Sequence, residues 1–111
     1  MNNNNKNKLS IALMSLGTTA EQIANTLKHK HITGCRDSAR FCPISQYLKA
    51  LALPNITVSP DFITSGSGLD YVELEPSPAL IAFINQFDNG EYSELIWLKE
   101  GREVIGFDGD E

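Results

Sequence analysis

Apolar residues recur along this chain with two different periods. Ala20, Ile23, Ala24 and Leu27 fall at i, i+3, i+4 and i+7, the spacing of one helix face. Thr18-Thr19-Ala20-Glu21 ahead of them reads as a capping box, in which the Thr18 hydroxyl accepts the Glu21 amide and the Glu21 carboxylate reaches back. Lys28, His29, Lys30 and His31 fall at the end of this helix, where cations complement its partial negative charge, and Gly34 marks the stop. A second helix opens at Cys42-Pro43, because proline at the first helical position gives up an amide that has no partner anyway. Its apolar stripe is Ile44, Tyr47, Leu48 and Leu51, and Pro54 ends it. A third opens at Ser77-Pro78 with Leu80, Phe83, Ile84 and Phe87 on one face, and Asp88-Asn89-Gly90 breaks it. Residues 91–98 read as a short fourth helix.

Between the second and third helices the period drops to two. Residues 55–59 alternate as a strand does, 62–64 continue the strand after Pro60, and Ser65-Gly66-Ser67-Gly68 makes a flexible turn. Residues 69–75 are the clearest strand, with Val72 and Leu74 on one face and Tyr71, Glu73 and Glu75 on the other. Residues 103–107 could form a last strand before the acidic end Asp108-Gly109-Asp110-Glu111. Residues 1–8, an Asn/Lys stretch with no apolar residue after Met1, read as a disordered tail. The run at 9–16 follows Lys6 and Lys8 as in a signal peptide. It is short, holds Ser10 and Ser15, and lacks a small-x-small cleavage site, so secretion is not expected. The pattern predicts one small α+β domain over 9–111: two N-terminal helices, a small antiparallel sheet and two C-terminal helices.

Composition agrees. A chain of 111 residues, 41% hydrophobic and 21% charged, suits one soluble domain with a modest core. Nothing approaches the ~18 consecutive apolar residues of a membrane span. Two cysteines make no disulfide framework, so a reducing cytoplasm is the expected setting.

Charge changes the picture more. Residues 1–59 hold seven Lys/Arg against Glu21 and Asp37, a net of +5, whereas 60–111 hold Lys99 and Arg102 against twelve carboxylates, a net of −10. Dense carboxylates with few basic neighbours invite a cation or a basic protein. Glu73 and Glu75 on one strand face, with Asp70 at the strand's start, form the main candidate metal site. Asp88, Glu91 and Glu94 form a second group. Asp37, the sole carboxylate between Glu21 and Asp61, could complete a site if its loop folds against the acidic strand. The competing explanation for each is a solvated acidic surface. The Asp88-Asn89-Gly90-Glu91 segment is no EF-hand: with Gly90 at the sixth loop position, Phe87 and Ile96 fall at ligand positions three and twelve.

Other chemistries are weaker. The loop 33–43 carries Arg36 and Arg40 before a helix N-terminus, a natural anion site, and Cys42 there could have a lowered pKa. His29, His31, Cys35 and Cys42 lack a recognised zinc spacing, the two cysteines lack the C-x-x-C redox spacing, and no residues orient a nucleophile. No enzyme is therefore expected. A sequence pI near 4.9 argues against nucleic-acid binding by Lys28, Lys30, Arg36 and Arg40.

In length, in the crowding of carboxylates into 61–111, in the lack of an EF loop and in the isolated Asp37 before the Cys42-Pro43-Ile44 helix, the chain resembles the small acidic non-EF-hand calcium-binding proteins of filamentous cyanobacteria. The resemblance is one of general plan. It implies a cytoplasmic, regulatory calcium buffer or sensor, with a link to cell differentiation. The alternative is an acidic protein–protein module, or a nucleic-acid mimic acting on a basic partner.

Overall fold

The computed structural model describes residues 3–104, with side chains from Asn5 onward. Its first element is a helix where the sequence predicted none: α1 spans Asn3–Met14. Leu9, Ala12, Leu13 and Leu16 sit at i, i+3, i+4 and i+7 and are all buried, so this face anchors the helix. The helix also takes in most of the Asn/Lys stretch expected to be a disordered tail. The physical reason is anchorage, since turns stacked on a packed face cost less to order. Asn5 Nδ2 also donates to the Asp70 carbonyl at 2.9 Å.

Helix α2 spans Ala20–His29 and buries Ile23, Ala24 and Leu27. Its cap lies one residue later than the expected Thr18/Glu21 box. Thr19 is the N-cap, its hydroxyl accepting the Gln22 amide at 3.1 Å, and Gln22 Oε1 accepts the Thr18 amide at 2.8 Å. Gln22 does what Glu21 was expected to do, because Glu21 falls a residue short of the third helical position. Helix α3 (Pro43–Ala50) starts at Cys42 as expected, with Cys42 Sγ accepting the Ser45 amide. Helix α4 (Pro78–Asp88) is capped by Ser77 and buries Leu80, Phe83, Ile84 and Phe87.

Three short antiparallel strands lie between α3 and α4: β1 (Thr57–Val58), β2 (Ile63–Ser65) and β3 (Val72–Leu74), in the order β1-β2-β3. The register sets Thr64 opposite Glu73 and Ser65 opposite Val72. Leu69 and Asp70, expected as the start of the strand, instead belong to a turn of 3-10 helix, Gly68–Asp70. The segment expected as a fourth helix is a 3-10 turn, Ser93–Leu95, leading into a two-stranded hairpin of β4 (Leu98–Lys99) and β5 (Arg102–Glu103). Gly90 at φ +91° ends α4, and residues 91–97 make a single 3-10 turn before the hairpin. Of the strand expected at 103–107, residues 105–107 lie outside the described residues, as does the acidic end.

In the core α2 lies against α4, α3 and the Ser93–Leu95 turn, while α1 packs on β3 and α3 on β1. Phe83 stacks between Phe87 and Tyr92, with ring centroids 5.9 and 5.3 Å away. Among the described residues no helix is long and apolar enough to cross a membrane.

Candidate functional site

Two acidic regions emerge, and they are built differently. The first is the loop after α2. At Gly34 the chain is pinched between the turn before the hairpin and the start of α3. The Gly34 amide donates to the Leu95 carbonyl and its own carbonyl accepts from Trp97, both at 2.9 Å, while the Cys35 amide donates to Phe41 at 2.7 Å. This pinch carries Arg36 and Asp37 toward the end of α4. The Arg36 guanidinium grips Glu103 with two bonds, Nε to Oε2 at 2.6 Å and Nη2 to Oε1 at 2.8 Å. The hydrogen bonds from Arg36 hold the Glu103 carboxyl below its usual range. Asp37, in the left-handed region at φ +56°, donates its amide to Asp88 Oδ1 at 2.9 Å. Burial pushes the Asp88 carboxyl up and the negative charge of Asp37 adds to this, while the Asp37 amide and Arg36 pull it down. A cavity of about 230 Å³ opens beside the two carboxylates, also lined by Ser38, Ser59 and Cys42.

Asp37 links the two halves of the chain, as Arg36 does through Glu103, and its partner is Asp88 rather than the Glu73 strand. Cys42 departs from expectation. It is a buried cap on α3, and burial raises its thiol pKa instead of lowering it. Cys35 is buried too, whereas His29 and His31 are exposed, so these four make no zinc site.

The second region is the outer side of the β1-β2-β3 sheet. Alternation turns Val72 into the core and leaves Tyr71, Glu73 and Glu75 exposed. Phe62, half exposed at 50%, and Asp61 precede β2, and Asp70 sits on the turn before β3. Residues 50–98 contain seven carboxylates and no Lys, Arg or His. Among the described residues Asp61, Asp70, Glu73 and Glu75 pair with no cation; the ion pairs there are Arg36 with Glu103 and Lys28 with Glu94, the latter at 3.2 Å. Glu94 is thus committed to α2, its carboxyl drawn down by its own amide and by Lys28, and Glu91 is exposed.

Of the seven predicted ligands the structure brings Asp37 and Asp88 together. Among the described residues no three His, Cys, Asp or Glu side chains are grouped so as to hold a metal ion. Sequence reasoning missed Arg36's grip on Glu103, 67 residues away, for which no local signal exists. It also missed the exposed Phe62 beside the acidic strand. No family model, curated protein or solved structure matches the chain.

Proposed function

We propose that this chain is a non-catalytic interaction module that docks a basic partner protein on the outer face of its sheet. The observation that supports this is the set of carboxylates at Asp61, Asp70, Glu73 and Glu75, none paired with a cation among the described residues. Unneutralised like charges on and beside one small sheet cost the fold repulsion, and a basic surface relieves it while steering encounter. Phe62 and Tyr71 add aromatic area of the kind that anchors interfaces. An oligolysine peptide is the simplest probe, with binding followed by calorimetry. Binding should weaken steeply from about 0.05 M to about 0.5 M salt, as screening shortens the reach of each charge. Asp61→Asn combined with Glu73→Gln should weaken it by about tenfold, an amount each 1.4 kcal/mol supplies. Glu91→Gln, elsewhere on the surface, should leave it unchanged. Equal losses in both variants would sink the proposal, since the peptide would then be sensing net charge alone.

Calcium binding is the second reading, and the juxtaposition of Asp37 and Asp88 beside a cavity favours it. Calcium accepts carboxylates together with neutral oxygens, and Ser38 and Ser59 also line that cavity. A site of this kind would stabilise the fold by about 2.7 kcal/mol at a hundredfold excess over Kd. A melting temperature that millimolar calcium leaves where EDTA leaves it would end this reading. A shift lost in Asp88→Asn would support it.

A further inference from the structure

Residues 38–60 contain no carboxylate, although the chain holds fourteen Asp and Glu, and the two cations among them are Arg40 and Lys49. The sequence sets Arg36 and Arg40 together ahead of α3, but the structure gives them different work. Arg36 is spent on Glu103, whereas Arg40 lines a cleft together with Lys49. This cleft has a volume of about 360 Å³ and is lined by Arg40, Phe41, Lys49, Asn55, Ile56 and Thr57. Its walls are the loop before α3, the last turn of α3 and the chain running into β1. Hydrogen bonds fix those walls. The Val58 amide donates to the Ala39 carbonyl at 2.9 Å and the Phe41 amide to Ser38 Oγ at 3.0 Å. The Pro54 carbonyl accepts from both the Ser65 hydroxyl and the Gly66 amide at 2.8 Å. Lys49 is held as well: its ammonium donates to the Arg40 carbonyl and lies 4.4 Å from the centre of the Phe41 ring. A carbonyl and a ring face stabilise that charge without cancelling it, and an ammonium has further donors to give. Among the described residues no carboxylate pairs with Lys49.

We infer that this cleft binds a small phosphate compound, free ion or monoester, through its phosphate group. Phosphate carries about two negative charges near neutral pH, which two cations on one cleft match and a lone carboxylate would not. A guanidinium offers a planar fork to two phosphate oxygens, and an ammonium adds a compact point charge. The Asn55 amide and the Thr57 hydroxyl are neutral donors for the remaining oxygens. Because the walls and Lys49 are already ordered, binding costs little conformational entropy. A nucleic acid suits the cleft less well: two cations make no stripe, and a chain of net charge −5 repels a polyanion. The inference is independent of the acidic docking face, since Asp61, Asp70, Glu73 and Glu75 do not line this cleft.

An NMR titration of the full chain, following each backbone amide, tests it. The probes are inorganic phosphate and ribose 5-phosphate, with ribose and sodium chloride as matched controls. The expected result is a saturating shift confined to Arg40, Phe41, Lys49 and residues 55–57, given by at least one phosphate probe and by neither control. The tighter of the two probes tells whether the free ion or the ester is the ligand. Lys49→Gln and Arg40→Gln should each raise that Kd about tenfold or more, as the loss of a charge-assisted hydrogen bond does. Both side chains belong to exposed residues, so both variants should keep the wild-type circular dichroism. Lys99→Gln, a cation outside the cleft, should leave the Kd unchanged. Shifts that never saturate, that sodium chloride reproduces or that centre on other residues would overturn the inference. So would a Kd indifferent to Lys49→Gln, or one that Lys99→Gln raises equally.

Discussion

At Gly34 a missing side chain decides how the chain is routed. A Cβ there would lie 2.5 Å from the Cys42 carbonyl carbon and 2.6 Å from the Phe41 oxygen, and closer still to the Pro43 nitrogen. Those are backbone atoms fixed by α3, so nothing can yield cheaply. Gly34→Ala should therefore cost about 4 kcal/mol or more, read as a fall in the urea midpoint, and should release the Arg36 loop. Asp88 offers a second test at this scale, through pH. Its carboxyl titrates higher in the fold than in the unfolded chain. The stability it contributes is thus fully present below the unfolded pKa of about 3.9 and is lost as pH rises through the folded value. Asp88→Asn removes that loss while keeping an oxygen for the Asp37 amide. Relative to wild type, the variant should gain stability as pH rises from acid toward neutral, measured by parallel urea titrations. Glu103 has the opposite sign: its support fades as pH falls through its lowered pKa.

At the scale of elements, stability follows the capped, one-sided helices. Phe83, 1% exposed and stacked on Phe87 and Tyr92, joins α4 to the following turn, so Phe83→Ala should cost about 3–5 kcal/mol in denaturant unfolding. Thr19→Ala should cost about 1 kcal/mol and Glu21→Ala close to nothing, which separates the observed cap from the expected one by thermal melting. Helices α2, α3 and α4 were legible because each shows a clean 3.6-residue stripe after a capping residue. Helix α1 was not, although Leu9, Ala12, Leu13 and Leu16 have the same spacing. Ile11 and Met14 fill the opposite face and turn the stripe into a featureless apolar run. The hairpin at 98–103 was missed for a different reason: its strands are two residues long, too short to show a period. The outward side of β3 was read correctly because alternation there is strict. The meeting of Asp37 with Asp88 was not, since 51 residues separate them and only the Gly34 pinch brings them together.

For the whole molecule, the split in charge resolves into two unequal halves. Much of the basic half is tied up locally: Lys28 holds Glu94, Arg36 holds Glu103, and Lys49 caps the Phe41 ring from 4.4 Å while donating to the Arg40 carbonyl. The acidic sheet face has no such partners among the described residues. The stretch without basic residues, from Ala50 to Leu98, has an effect that reaches beyond binding. Trypsin cuts after lysine and arginine, so a digest has no cleavage point inside the sheet or α4, folded or not. Limited proteolysis of this protein with trypsin reports on the helices before Lys49 and on the hairpin at Lys99 and Arg102, and fragment 50–99 survives as one piece even when its fold is lost.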